Sequence, residues 1–149
     1  MKNKLPDLRI GDLIINPPII QGGMGVRVSK SSLAAAVSNT GALGVIASVG
    51  LGDEKKIGEY YVSSSENALR EEIRKAKSKT KGYLGVNIMF ALSNYDTLVK
   101  SSVDEGIDVI ISGAGLPLRL PSLVENYKVK LIPIVSSGRA ADLICKSWM

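Results

Sequence analysis

Pro17-Pro18-Ile19-Ile20-Gln21-Gly22-Gly23-Met24-Gly25 is the stretch on which the reading of this chain turns. An apolar run ends on a glutamine and passes straight into a glycine-rich turn, and Ser29 shortly afterwards is placed to cap a helix. Glycine permits positive φ and lets a backbone approach a flat ligand closely. Such a turn can leave main-chain N–H groups for the heteroatoms of a ring system, or it can be a tight strand-to-helix connection with no ligand. It is neither the dinucleotide fingerprint G-x-G-x-x-G nor a P-loop, since no Gly-Lys-Ser/Thr follows.

Outward from that stretch, short apolar runs alternate with helical patterns. The runs are 18–21, Leu43 to Ala47, Tyr83 to Ile88, Asp108 to Ser112 and Lys130 to Val135. They are continuous rather than alternating, as expected of strands covered on both faces. Pro133 sits inside the last run and removes a ladder donor there. Between the runs, Leu33 and Val37 share a helix face that stops at Gly41. Ser63 and Glu66 have capping-box spacing, and Leu69, Ile73 and Ala76 follow as an apolar stripe. Asn94 is placed to cap a helix carrying Leu98, Val99 and Val103 and ending at Gly106. Ala141, Ile144, Cys145 and Trp148 form a final stripe. Before all of these, Leu8 to Asn16 reads as a short hairpin turning at Gly11-Asp12. Strand then helix, repeated about five times, predicts a parallel sheet within one domain over 1–149. A flavodoxin-like open sheet suits the length, whereas a (β/α)₈ barrel needs about 250 residues and would be present only in part.

Composition narrows the function classes. The chain has 149 residues, 45% hydrophobic and 22% charged, with aromatics at only 5%, which suits buried strands under small-residue helices. The net charge is +5, and much of it falls between Arg70 and Lys81, where only Glu71 and Glu72 oppose it. That cluster reads as a solvated outer helix face. No aromatic residues interleave with it, so no nucleic-acid partner is expected. No apolar run approaches the roughly 20 residues of a membrane span, and no membrane partner is expected. The single cysteine, Cys145, forbids an internal disulfide and points to a cytoplasmic setting, with its side chain expected to pack. Histidine is absent altogether, which removes the commonest general base and metal ligand, so no metal site is expected.

Three further features carry chemistry. Asn87 interrupts an apolar run near a strand's C-terminal end, and its paired donor and acceptor suit the edge of a heterocycle. Ser112-Gly113-Ala114-Gly115-Leu116-Pro117 follows the fourth run, and Ser136-Ser137-Gly138 follows the fifth. Small residues at the C-terminal ends of several strands mark one ligand-facing rim.

In that order and spacing, the segments 18–25, 85–87 and 112–117 resemble the nitronate monooxygenase family, to which flavin-dependent enoyl-acyl carrier protein reductases are close relatives. The resemblance runs from about Leu8 to Trp148 and favours the barrel: a partial (β/α)₈ TIM barrel, about the first five βα units, behind a short N-terminal hairpin. It implies FMN as cofactor, with the backbone of Gly23, Met24 and Gly25 along the isoalloxazine ring and Asn87 hydrogen-bonded to it. Gly113, Ala114, Gly115 and Ser136 are implied to line the flavin rim or the substrate side. The implied substrate is a small molecule, an alkyl nitronate or, for the relatives, an enoyl thioester.

The family's catalytic histidine lies in a Gly-Gly-His segment, and its phosphate grip in later glycine-rich loops; this sequence contains neither. Asp96, Asp104, Glu105, Asp108 and Asp142 read as helix-surface, strand-entry or first-turn charges, so no catalytic residue is assigned. The expectation is therefore a truncated barrel, inactive alone, whose open apolar edges promote self-association or aggregation. A non-catalytic remnant without flavin is the remaining alternative.

Overall fold

The structure, a computed structural model, describes residues 5–149. The chain opens with an antiparallel hairpin, β1 (Leu8–Ile10) and β2 (Leu13–Ile15), turning at Gly11 with φ +61°. Four parallel strands follow: β3 (Gly44–Ala47), β4 (Leu84–Met89), β5 (Val109–Gly113) and β6 (Lys130–Pro133), side by side in chain order. Helix α1 (Ser31–Ser38) precedes β3, and α2 (Gly58–Lys79) and α3 (Tyr95–Asp104) make the next two crossovers. A single helical turn, α4 (Leu120–Leu123), and then α5 (Gly138–Trp148) complete the order. The run at 18–21 lies beside β3 but joins it through one parallel bridge, Ile20 with Leu43.

Successive residues of the strands sort onto two buried faces, which explains why the runs are continuous. Ile46, Val86, Ile88 and Ile110 pack toward the helices, against Leu69, Ile73, Leu98 and Val99. Val45, Val109 and Ile111 point the other way and are covered by Ile15, with Leu8, Ile10 and Leu13 beside it. Burying each such side chain contributes about 1.5–3 kcal/mol. The hairpin is therefore the floor of the inner face. Lys130, at the start of β6, forms an ion pair with Asp12 in the hairpin turn, and that bond holds the Asp12 carboxyl below its usual range.

Helix starts differ from the sequence reading in an instructive way. Ser63 and Glu66 do not cap α2, because the helix already begins at Gly58 and carries both in its interior. Glu66 instead accepts from Arg70 and from the Ser101 hydroxyl of α3. Ser29 does not cap α1 either; residue 30 holds the cap position without a side-chain bond. The work is done from outside by Glu72 of α2, whose carboxylate accepts the Ser31 N–H at 2.8 Å and pairs with Lys30 at 3.4 Å. Burial works to raise the Glu72 pKa, but the Ser31 N–H and the Lys30 ammonium together hold it below the ordinary value of 4.5. Asn94 stands at the α3 cap position, yet its side chain makes no cap bond.

The basic stretch is likewise not a merely solvated face. Arg70 reaches Glu66, Asp104 and Glu105, and Arg74 pairs with Glu105 at 2.6 Å, so the stretch stitches α2 to α3. Cys145 is exposed on α5 rather than packed, and Ile144 alone of that helix is fully buried.

Candidate functional site

Because the 18–21 run and β3 to β6 are all parallel, the loops that follow them gather at one end of the sheet. The glycine loop is held there by its own side chains. The Gln21 amide pairs with β3 as a peptide group would: Nε2 donates to the Val45 carbonyl at 3.1 Å, and Oε1 accepts the Val45 N–H at 3.2 Å. Ser29, 1% exposed, sits beneath the loop. Its hydroxyl accepts from Met24 N–H at 2.9 Å and from Gln21 Nε2 at 3.0 Å, and it donates to the Gly22 carbonyl at 3.3 Å. Ser29 N–H in turn donates to the Met24 carbonyl at 2.9 Å. Arg27, with φ 60°, ties the loop to the next one through the Gly50 and Gly52 carbonyls and Glu54.

Asn87 lies on the inner face of β4, in register with Ala47 of β3 and Ile111 of β5. Gly23 rests directly on it. A β-carbon at Gly23 would overlap the Asn87 Cβ and stand 2.9 Å from its Cγ. Gly25 is equally constrained, since a β-carbon there would overlap a Val49 methyl. The Met24 side chain is 60% exposed. Two residues beyond Asn87, Met89 pairs with Gly113, and Phe90 N–H donates to the Gly113 carbonyl at 2.7 Å. Ala114 (φ 58°) and Gly115 (φ 146°) then turn the chain sharply, with Gly115 against the Phe90 ring.

Next to this turn is a cleft of about 460 Å³ lined by Ala114, Gly115, Leu116, Ile134, Val135, Ser136 and Ala140. Of the residues singled out in the sequence, Ala114, Gly115 and Ser136 share the cleft. Gly23 and Asn87 touch each other outside it, with Met24 and Gly25 in the same loop. Gly113 joins the two groups through its pairing with Met89, while Ile134 packs over it. Sequence reasoning missed Gln21, Ser29 and Arg27 as the loop's fastenings. A glutamine ending an otherwise apolar run was the available signal.

The fit to a planar heterocycle can be tested on these atoms. The Asn87 amide, half-buried at the rim, has no hydrogen-bond partner among the described residues, so a donor and an acceptor stand ready for a ligand. The N–H groups of Gly22, Gly23 and Gly25 also lack partners among those residues, whereas that of Met24 is spent on Ser29. The Met24 N–H is thus not available to a ring heteroatom, contrary to the simplest expectation for this loop. The remaining donors and the Asn87 amide fit a flavin. No group of side chains that could hold a metal ion occurs among the described residues.

A parallel βα sheet floored by a hairpin, with glycine-rich loops and an amide-bearing strand on one rim, is part of a (β/α)₈ barrel of the flavin-binding class. The chain belongs to the nitronate monooxygenase family, whose profile matches residues 8–94. Among solved structures it is similar to FabK from Thermotoga maritima, with 33% identity and a TM-score of 0.72 over 87% of this chain and 37% of that one. A mutant form of the same FabK matches at 32% identity and a TM-score of 0.72, over 87% of this chain and 39% of that one. The chain therefore spans well under half the length of those structures. No curated protein gives a significant match. The family and FabK are FMN-dependent oxidoreductases.

Proposed function

We propose that this chain supplies the ring-holding side of an FMN-dependent nitronate monooxygenase, which oxidises alkyl nitronates with dioxygen. The observation that carries the reading is the unpartnered Asn87 amide lying against Gly23 within the segment matched by the family. When bound, FMN would supply an electron acceptor for the nitronate whose reduced form reacts with dioxygen. The chain's own residues hold and shield. Gly23 and Gly25 bring backbone close to the ring, and the Asn87 amide hydrogen-bonds its edge. Met24 offers its thioether as an adaptable apolar contact. The cleft beside Ala114, Gly115 and Ser136 takes the small alkyl substrate, with Leu116, Ile134 and Val135 as apolar walls that exclude water. None of the carboxylates identified above stands in that cleft, so no base is assigned to this chain.

A second reading is an FMN-dependent enoyl-thioester reductase, supported by the likeness to FabK over 87% of the chain. The single cysteine supports a cytoplasmic setting as part of this proposal.

The test begins with colour. Purified chain mixed with FMN and desalted is expected to retain flavin absorption near about 370 and 450 nm. Colourless protein that takes up no FMN overturns the flavin reading in favour of a non-catalytic remnant. Rapid-mixing reduction of the flavin-loaded protein then separates the two enzymes. Bleaching by an alkyl nitronate and not by NAD(P)H supports the first, and the reverse supports the second.

A further inference from the structure

We propose that Ser29 and Gln21 are positioning residues that set which peptide groups of the glycine loop can reach the flavin, an inference that rests on the flavin reading above. A serine hydroxyl has one donor and two acceptor sites. At Ser29 all three are used: by Gly22 as acceptor, and by Met24 N–H and Gln21 Nε2 as donors. The main chain of Ser29 closes the ring by donating to the Met24 carbonyl and accepting the Ala47 N–H of β3.

Met24 is thereby fastened at both ends of its backbone, and its N–H, its one main-chain donor, is withheld from a ligand. Gly23 and Gly25, the residues flanking it, keep their N–H groups without partners among the described residues. The loop thus presents alternate N–H donors, those of Gly23 and Gly25, with the Met24 donor between them turned to Ser29. Gln21 anchors this arrangement to the sheet. Its amide occupies Val45 on both sides, N–H and carbonyl, while also supporting the Ser29 hydroxyl. Burial makes the network rigid: Ser29 is 1% exposed, and a misaligned hydroxyl there would leave polar groups unpaired.

The resulting assignment is specific. Ser29 touches no flavin; it acts through Met24, which it withdraws from hydrogen bonding so that Gly23 stays seated on Asn87. Removing the hydroxyl frees the Met24 N–H, while the Ser29 N–H keeps its bond to the Met24 carbonyl, and lets the loop sample other arrangements.

The experiment uses the full 149-residue chain and three variants: Ser29→Ala, Ser29→Thr and Gln21→Leu. Amide hydrogen exchange in the absence of FMN reads the loop directly. The Met24 amide is expected to be protected in the parent and in Ser29→Thr, and to exchange roughly tenfold faster in Ser29→Ala. Titration with FMN, followed by flavin fluorescence, is expected to show about tenfold weaker binding for Ser29→Ala and Gln21→Leu. Ser29→Thr, which keeps the hydroxyl, should stay near the parent. A bound-flavin absorption band shifted in Ser29→Ala but not in Ser29→Thr would mark altered contacts to the ring, which mere loss of stability would not produce.

Equal protection of Met24 in the parent and Ser29→Ala overturns the loop arrangement. A changed Met24 exchange with unchanged FMN affinity and spectrum overturns the positioning role while leaving the flavin reading intact. A parent chain that binds no FMN overturns the flavin reading and the role together, and the exchange data then still judge the loop arrangement separately.

Discussion

Gly23 is seated on the side chain of Asn87, so closely that a β-carbon on the glycine would overlap the asparagine Cβ. The contact joins the loop after the first apolar run to β4, the second strand of the parallel sheet, and it needs a residue without a side chain. Gly23→Ala must push the loop off the strand. Overpacking of this kind costs about 1–3 kcal/mol. We expect a correspondingly lower denaturation midpoint and at least roughly tenfold weaker FMN binding by fluorescence titration. An alanine variant with parental affinity would refute the seat.

Asn87→Leu tests the other partner. Its amide has no bond to lose among the described residues, so replacing it with an apolar side chain of similar size should leave stability unchanged or raise it slightly. FMN affinity should fall instead. A variant that unfolds more easily yet binds FMN normally would show that Asn87 is structural.

Glu72 provides a pH dependence of known sign. Its folded pKa lies below the ordinary 4.5, because the Ser31 N–H and Lys30 outweigh the opposing effect of burial. A depressed carboxyl pKa adds stability that is present above the unfolded value and disappears as pH falls through the folded one. The parent should therefore lose stability on acidification below about pH 4.5, and Glu72→Gln should lose less over the same interval. At neutral pH the same variant should be destabilised by about 1–3 kcal/mol, since the α1 N–H loses a charged acceptor. Parallel pH profiles for the two proteins would contradict the capping role.

Ala114 holds φ 58° at the entrance to the cleft, a conformation that costs a non-glycine residue roughly 1–2 kcal/mol. Stability should rank Ala114→Gly at or above the parent, and Ala114→Val below both, in thermal melts. The opposite order would mean the turn relaxes.

Arg27 fastens the glycine loop to its neighbour through two carbonyls and Glu54, mostly in solvent. Arg27→Ala should cost only about 1 kcal/mol globally, yet increase limited proteolysis between residues 49 and 57 about fivefold. Unchanged cleavage there would show that the loops are held by other means.

The sequence carried the sheet well and the fastenings poorly, for physical reasons. Strands buried on both faces must be apolar throughout, so Val45-Ile46 and Val109-Ile110-Ile111 were legible as runs. Glycine positions at Gly23, Gly25 and Gly115 were legible too, because close approach leaves no other choice there. Boundaries that depend on tertiary contacts were not. Ser63 and Glu66 had the spacing of a cap but lie inside α2, and the true cap of α1 arrives from Glu72, forty-odd positions away in the chain. Ser29 had the residue type of a cap and serves the loop instead. The cleft walls Ile134 and Val135 were read as strand, because an apolar pair after Pro133 looks the same whether it pairs or lines a hollow.

The ion pair between Asp12 and Lys130 has a consequence for biogenesis. The β1–β2 hairpin is synthesised first, yet the surface that receives it includes Val109, Ile111 and Ile132, which leave the ribosome much later. During translation the hairpin must wait, with its greasy side unsheltered, until β5 and β6 arrive. It is made well before the surface that seats it.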